Sequence, residues 1–370
     1  MAEFWGTYEF KADSPSDADG WARSIAREQT IECIDEAVPH GFILDYVLAQ
    51  VETVEDQGGG IYRARIRYRS DITGGELPQM MNVLYGNCSI HVAVKLVGIE
   101  LSAEVQSMFP GPQFGAKGVR DIVGGSGPMV CAVLKPMGLS ADELAERAYQ
   151  CVLGGIDLIK DDHSLAMQHW APFEPRVEAI SKAVAKANAE TGNTTIYAPS
   201  MLCPVDKLEE RARFAVEAGA GGYLVMPGLT GFDSVRFLAG TPELSRPIMF
   251  HPSGMGSFTN AGLNGLSHSV MYASYPRLMG ADISIYPSFG GRYGFSKELC
   301  VQVAQDCRDP NGPFIPILPS PGGGMNLELA PLLREMYGPE AVFLFGGGAM
   351  RYKDEIASGI RELKAALTGG

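Results

Sequence analysis

From Phe109-Pro110-Gly111-Pro112 onward the chain repeats one cycle: a short apolar run, a loop, an amphipathic stretch, a glycine, and the next apolar run. The apolar runs are Met129–Lys135, Asp157–Asp162, Thr195–Leu202, Gly222–Met226, Pro247–His251, Asp282–Tyr286, Phe314–Leu318 and Ala341–Phe345. Helical periodicity marks Ala141–Leu153, Pro175–Glu190, Asp206–Ala218, Ser234–Leu238, Leu263–Met279, Lys297–Ala304, Leu327–Tyr337 and Asp354–Leu367. Gly154-Gly155, Gly219-Ala220 and Gly280-Ala281 stand just before strands, where glycine ends a helix in left-handed geometry. Eight such strand–helix units in roughly 240 residues predict a (β/α)8 TIM barrel, with a doubly wound sheet as the alternative.

The first 118 residues follow another pattern. Glu3–Lys11 reads as a strand and Ser16–Thr30 as a helix with Ala22, Ile25 and Ala26 on its apolar side. Phe42–Val54 and Gly60–Arg69 read as strands, the second from the alternation of Tyr62, Ala64, Ile66 and Tyr68. Gln79–Tyr85 and Ser89–Val97 are apolar and expected to be extended. The expectation is an α/β chain: an N-terminal α+β domain of ferredoxin-like type over residues 1–118, then the barrel over 119–370.

Nearly every predicted barrel strand ends in residues with chemical capacity, and a barrel gathers those ends at one mouth. Strand one ends at Lys135. Strand two ends Lys160-Asp161-Asp162-His163, and period-two alternation puts Lys160 and Asp162 on one face. Imidazole and carboxylate both ligate divalent metals, although a lysine beside two acids is also an ordinary salt bridge. Lys135 serves as a base only if burial or a neighbouring cation lowers its pKa; the bland alternative is a pairing with a neighbouring strand's acid. His251 ends strand five, whereas His40, His91, His169 and His268 lack such placement and read as structural or surface residues. Pro321-Gly322-Gly323-Gly324 follows strand seven and Phe345-Gly346-Gly347-Gly348 closes strand eight. Glycine there lets backbone N–H groups approach a phosphate.

Composition narrows the partners. Hydrophobic content of 46% predicts a sizeable core, and a net charge of −13 disfavours nucleic acid or an anionic membrane as partner. No apolar run approaches the roughly 20 residues of a membrane span, and the opening residues do not read as a secretory signal. The seven cysteines are scattered with no Cys-x-x-Cys, as in a reduced, cytoplasmic protein.

Gly154–Asp162 resembles the Gly-Gly-x-Asp-x-x-Lys-Asp-Asp segment of the RuBisCO large-chain superfamily, RuBisCO-like proteins included. Ala26-Arg27-Glu28-Gln29-Thr30 resembles the glutamate segment of that family's N-terminal domain, and Gly86-Asn87 its active-site Gly-Asn. Phe109–Gly115 resembles the start of its barrel, Leu134-Lys135-Pro136 its Ile-Lys-Pro, and the two glycine runs its phosphate grips. The resemblance covers nearly the whole chain. It implies that Lys160 takes up CO2 as a carbamate, that Asp162 binds magnesium, and that Lys135 abstracts the proton. It also implies that His251 is the strand-five active-site histidine and that Gly322, Gly323, Gly346 and Gly347 hold phosphate. Glu28 and Asn87 would complete a partner's site in a head-to-tail homodimer.

Departures from the family pattern reshape the chemistry. His163 stands where the family has a metal-binding glutamate, and a neutral ligand weakens magnesium, which prefers oxygen. The lysine after Lys-Pro is absent from Lys135-Pro136-Met137-Gly138. The arginine after the strand-five histidine is Pro252, and the strand-six histidine position reads Ile285-Tyr286-Pro287-Ser288. A bisphosphate carboxylase is not expected. The resemblance instead implies enolisation of a phosphorylated keto sugar, with isomerisation of 5-methylthioribulose 1-phosphate favoured. Enolisation of 2,3-diketo-5-methylthiopentyl 1-phosphate, or decarboxylation, transcarboxylation or hydrolysis of 3-oxo-isoapionate 4-phosphate, are alternatives. A non-catalytic metabolite-binding protein is the rival of another class.

Overall fold

The computed structural model describes residues 2–125, 127–347 and 355–369. In the N-terminal part, β1 (Glu3–Lys11), β2 (Gln50–Gly58), β3 (Ile61–Arg69) and β4 (Val94–Leu101) form an antiparallel sheet in the order β4-β1-β3-β2. With the helix Pro15–Glu28 after β1 and the helix Leu77–Tyr85 after β3, this is the ferredoxin-like βαββαβ arrangement. Ser14 caps the first helix by accepting from the Asp17 N–H. Its Ala18, Ala22, Ile25 and Ala26 are buried in the same core as Phe4, Tyr8 and Phe10 of β1 and Tyr62, Ala64, Ile66 and Tyr68 of β3. Ion pairs such as Arg63–Glu9 and Arg65–Glu100 lie on the strands' more exposed alternate positions.

Eight parallel strands build the second part. They are β5 (Met129–Leu134), β6 (Leu158–Asp161), β7 (Ile196–Ala198), β8 (Tyr223–Val225), β9 (Ile248–Phe250), β11 (Ile283–Pro287), β12 (Leu318–Gly322) and β13 (Val342–Phe345). They hydrogen-bond in two arcs, β13-β5-β6-β7 and β8-β9-β11-β12. A bridge between Ser200 and Leu224 joins one seam. The Ser320 hydroxyl, donating to the Val342 carbonyl at 2.9 Å, spans the other. The barrel interior is filled from alternate positions: Met129, Cys131 and Val133, then Leu158, then Ile283 and Ile285, then Val342 and Leu344. At the floor, the Phe114 and Gly115 N–H groups donate to Asp282 at 2.8 and 2.7 Å. Among the described residues no helix is long and apolar enough to cross a membrane.

Several predicted elements are corrected. Gln79–Tyr85 is not extended: Leu77, Met80, Val83 and Leu84 are buried at three-to-four-residue spacing, and Pro78 opens the first turn. The strand expected over Phe42–Val54 begins only at Gln50, after a wide helical turn over Ile43–Val47. Ser89–Val97 splits into a tight turn (Asn87–Ile90) and the start of β4. The predicted helix Leu263–Met279 opens with a two-residue strand, β10 (Gly265–Leu266), which adds in parallel to β4 and ties the barrel to the N-terminal sheet. The Tyr85 hydroxyl fixes that junction by accepting from the Gly265 N–H at 2.7 Å.

The seventh barrel strand lies four residues later than Phe314–Leu318, and its prolines explain why. Leu318 N–H and Gly322 C=O both bond β11, so Pro319 and Pro321 turn their missing N–H toward β13, where the ladder is interrupted. Gly348 and Asp354, assigned from sequence to the second glycine run and the last helix, lie outside the described residues.

Candidate active site

A cavity of about 750 Å³ opens at the C-terminal ends of the barrel strands. Strand pleating decides who reaches it. On β6, Leu158 and Lys160 point into the barrel and Asp162 continues that face, while Asp161 points outward. Outward-facing Asp161 accepts from Arg176 Nε (3.1 Å), the Tyr197 hydroxyl (2.9 Å) and the Ser200 N–H (3.1 Å). Asp161 and Arg176 are both fully buried, so this pair clamps β6 to the following helix from behind the site.

On the inner face, Lys135 forms an ion pair with Asp162. The alternative weighed for Lys135, pairing with an acid of the neighbouring strand, is therefore what the free protein shows. Burial works against the Asp162 carboxylate, but Lys135 and the Ser164 donors outweigh it and hold its pKa well below the usual carboxylate range. Lys160 is 1% exposed, donates to the Asp161 carbonyl at 3.0 Å, and burial drops its pKa from the ordinary 10.5 to about 8. His163 Nδ1 lies 3.2 Å from Asp162 Oδ1, and its ring stacks on His251 with centroids 5.1 Å apart. Burial, then the charge of Lys160, pushes His251 well below the usual histidine value.

Gly322, Gly323, Gly346 and Gly347 line the opposite side of the cavity. Two have packing reasons to be glycine. A Cβ at Gly322 would meet Leu344 at 2.8 Å, and Gly323, at φ +92°, would meet the Tyr293 ring at 2.8 Å. Gly347 has nothing within 4 Å of where its Cβ would stand. Tyr272, Ile285, Phe295 and Met325 supply an apolar wall, and Asn260, Arg292 and Asn326 add polar groups at the mouth. Sequence reading missed these last three. Arg292 follows strand six directly after Ser288-Phe289-Gly290-Gly291, so strand-end placement was the available signal.

Glu28 and Asn87 do not line this cavity. They meet each other in the N-terminal part, where Asn87 Nδ2 donates to Glu28 Oε1 at 3.1 Å beside a separate polar pocket of about 230 Å³. Buried Gln29 fixes that arrangement, donating to the Asn82 and Val83 carbonyls and accepting from the Cys88 N–H.

An ion-paired lysine and acid, a second buried lysine and two glycine turns at one barrel mouth define a class: a (β/α)8 barrel with a lysine-lined cavity at its strand C-terminal ends, where barrel enzymes carry their active sites. Comparison with known proteins gives the family. Residues 115–292 match the family model described as ribulose bisphosphate carboxylase large chain, catalytic domain. The chain is 34% identical over 366 residues to the 5-methylthioribulose-1-phosphate isomerase of Rhodospirillum rubrum, spanning 98% of this chain and 96% of that protein. It is 31% identical to the 2,3-diketo-5-methylthiopentyl-1-phosphate enolase of Geobacillus thermodenitrificans, over 82% of this chain and 74% of that one. The crystal structure of a RuBisCO-like protein from Rhodopseudomonas palustris superposes with a TM-score of 0.87 at 32% identity, covering 99% and 98% of the two chains. The chain belongs to the RuBisCO large-chain family, among its RuBisCO-like enzymes.

Magnesium and a carbamylated lysine are general in that family, so the residues present are the test. As an amine, Lys160 offers a metal no lone pair while protonated. One Asp162 oxygen faces Lys135 and the other is taken by Ser164. Among the described residues no three His, Cys, Asp or Glu side chains converge as a metal site. The unmodified side chains do not fit a divalent ion.

Proposed function

We propose that this enzyme enolises a phosphorylated keto sugar by removing a proton alpha to its carbonyl, and that isomerisation of 5-methylthioribulose 1-phosphate is the reaction. One observation carries the reading: two lysines and Asp162 line one side of the cavity, and two glycine turns suited to phosphate line the other. Phosphate on Gly322, Gly323, Gly346 and Gly347 would anchor the sugar and present its carbonyl end to the lysines. The apolar wall of Tyr272, Phe295 and Met325 suits an alkylthio tail. Of the two lysines, Lys135 is the proton acceptor in this reading. Its side chain is 31% exposed, whereas Lys160 is sealed at 1%. It must release Asp162 before it can take the substrate's proton. Lys160, charged, would stabilise the developing enolate from below.

No step here runs through a metal. Carbamylation of Lys160 is the one change that would complete a donor set, with Asp162 and His163 as the other ligands and magnesium as the ion. Dependence of activity on bicarbonate tests that part of the reading.

Glu28 and Asn87 lie outside their own chain's cavity, and Ile34, Ile90 and Val92 nearby are 69%, 79% and 91% exposed. We infer a homodimer in which this surface closes the partner's barrel mouth. Sedimentation as a monomer at micromolar concentration would refute it.

The test of the reaction is a panel of phosphorylated keto sugars in deuterated water, followed by NMR. Deuterium at the carbon beside the carbonyl and conversion of 5-methylthioribulose 1-phosphate are expected. No exchange with any member would overturn the reading.

A further inference from the structure

His251 sits at the end of β9 with its ring against the cavity. Its Nδ1 receives the backbone N–H of Ser253 at 3.2 Å, and the Ser253 hydroxyl lies 3.1 Å from the same atom. A backbone N–H can only donate, so Nδ1 must present a lone pair. An imidazolium carries protons on both nitrogens and cannot accept there. The ring is therefore neutral, with its single proton on Nε2. Nδ1 is occupied by Ser253, no hydrogen bond engages Nε2 among the described residues, and His251 lines the cavity.

We propose that His251 is held by the Ser253 N–H as the Nε2–H tautomer and acts on substrate as a hydrogen-bond donor to the carbonyl oxygen, not as a base. The proposal rests on the enolisation reading and deepens it. Proton removal by Lys135 shifts electron density from the C–H bond to the carbonyl oxygen. A donor already aimed at that oxygen stabilises the charge without moving its own proton. The stacked His163 ring limits reorientation of the imidazole, and the Ser253 backbone donor survives any side-chain change at that position. His251 thus cannot serve with Lys135 as a pair exchanging protons through Nδ1, since that nitrogen is turned away into the Ser253 backbone.

Two measurements decide this. Long-range proton–nitrogen NMR on 15N-histidine-labelled wild-type protein, with His251 identified by the spectrum of His251→Gln, reads the tautomer with no substrate present. A protonated Nε2 and a bare Nδ1 are expected. An Nδ1–H tautomer or a cation at pH 7 would overturn the proposal. The role is read by comparing His251→Gln, whose amide N–H₂ reaches the Nε2 position, with His251→Leu. A donor role keeps His251→Gln within about tenfold of wild-type kcat and drops His251→Leu by about 10²–10³. Equal losses would show that a base or mere packing was removed, and would overturn it. Binding of 2-phosphoglycolate, which combines a phosphate with an enediolate-like carboxylate, gives the same comparison by calorimetry. If the sugar panel fails, that binding split still decides the histidine's role separately from the substrate.

Discussion

Replacing Lys160 by methionine should make the protein more stable while abolishing its chemistry. The ammonium sits inside the barrel, 1% exposed, beneath the Lys135–Asp162 pair. Burial lowers its pKa from 10.5 to about 8, and each unit corresponds to 1.36 kcal/mol, so holding the charge costs the fold about 3 kcal/mol. Below pH 8 the lysine is protonated in both folded and unfolded states, and the fold carries that whole cost. Between pH 8 and 10.5 the folded protein has lost the proton while the unfolded chain still binds it, so stability rises with pH. Lys160→Met should therefore exceed wild type by about 3 kcal/mol at pH 7, less the single hydrogen bond to the Asp161 carbonyl, with the gap closing toward pH 10.5. The assay is urea unfolding in CO2-free buffer at pH 7, 8, 9 and 10, at fixed protein concentration because any self-association adds to apparent stability. A variant less stable than wild type at pH 7, or a gap that does not change with pH, would refute the reasoning. Bicarbonate should stabilise wild type and leave the variant unmoved if Lys160 takes up CO2.

Gly347→Ala should leave thermal stability unchanged, since its Cβ meets nothing within 4 Å, yet raise KM about tenfold or more by filling the anion's place; calorimetric titration with phosphate checks it. Asp161→Asn should cost about 3–5 kcal/mol, because it leaves the buried Arg176 guanidinium uncompensated, and denaturant unfolding measures this. Mixing inactive Glu28→Gln with inactive Lys160→Met should restore about a quarter of wild-type activity, since half the dimers then carry one intact site of two; no recovery after refolding together would mean that the sites are not shared. With bicarbonate present to carbamylate Lys160, His163→Glu should strengthen the magnesium site by adding an anionic oxygen ligand, read as a bicarbonate- and magnesium-dependent rise in melting temperature over wild type.

The strand–helix cycle and the glycines before strands made the barrel readable, because both follow from local backbone rules. The same period-two rule separated Lys160 and Asp162, facing the cavity, from the acid between them. That acid, Asp161, proved to be the buried anchor of Arg176, a partner fifteen positions away that no local pattern announces. Local pattern also misread Gln79–Tyr85, where a short apolar run looks alike in helix and strand until the neighbouring sheet selects one face. At β12, Pro319 and Pro321 lie inside the strand, and only the interrupted seam with β13 makes their missing N–H groups tolerable there. Residue types at strand ends nominated Lys135, Lys160, His251 and the glycines one by one. What only tertiary structure decided is how they are partnered: Lys135 on Asp162, His163 on His251, Ser253 behind His251, and Glu28 with Asn87 away from their own barrel mouth. Those pairings set charge and tautomer. They depend on distances between elements far apart in the chain, which is why composition and spacing could name the groups without fixing their protonation.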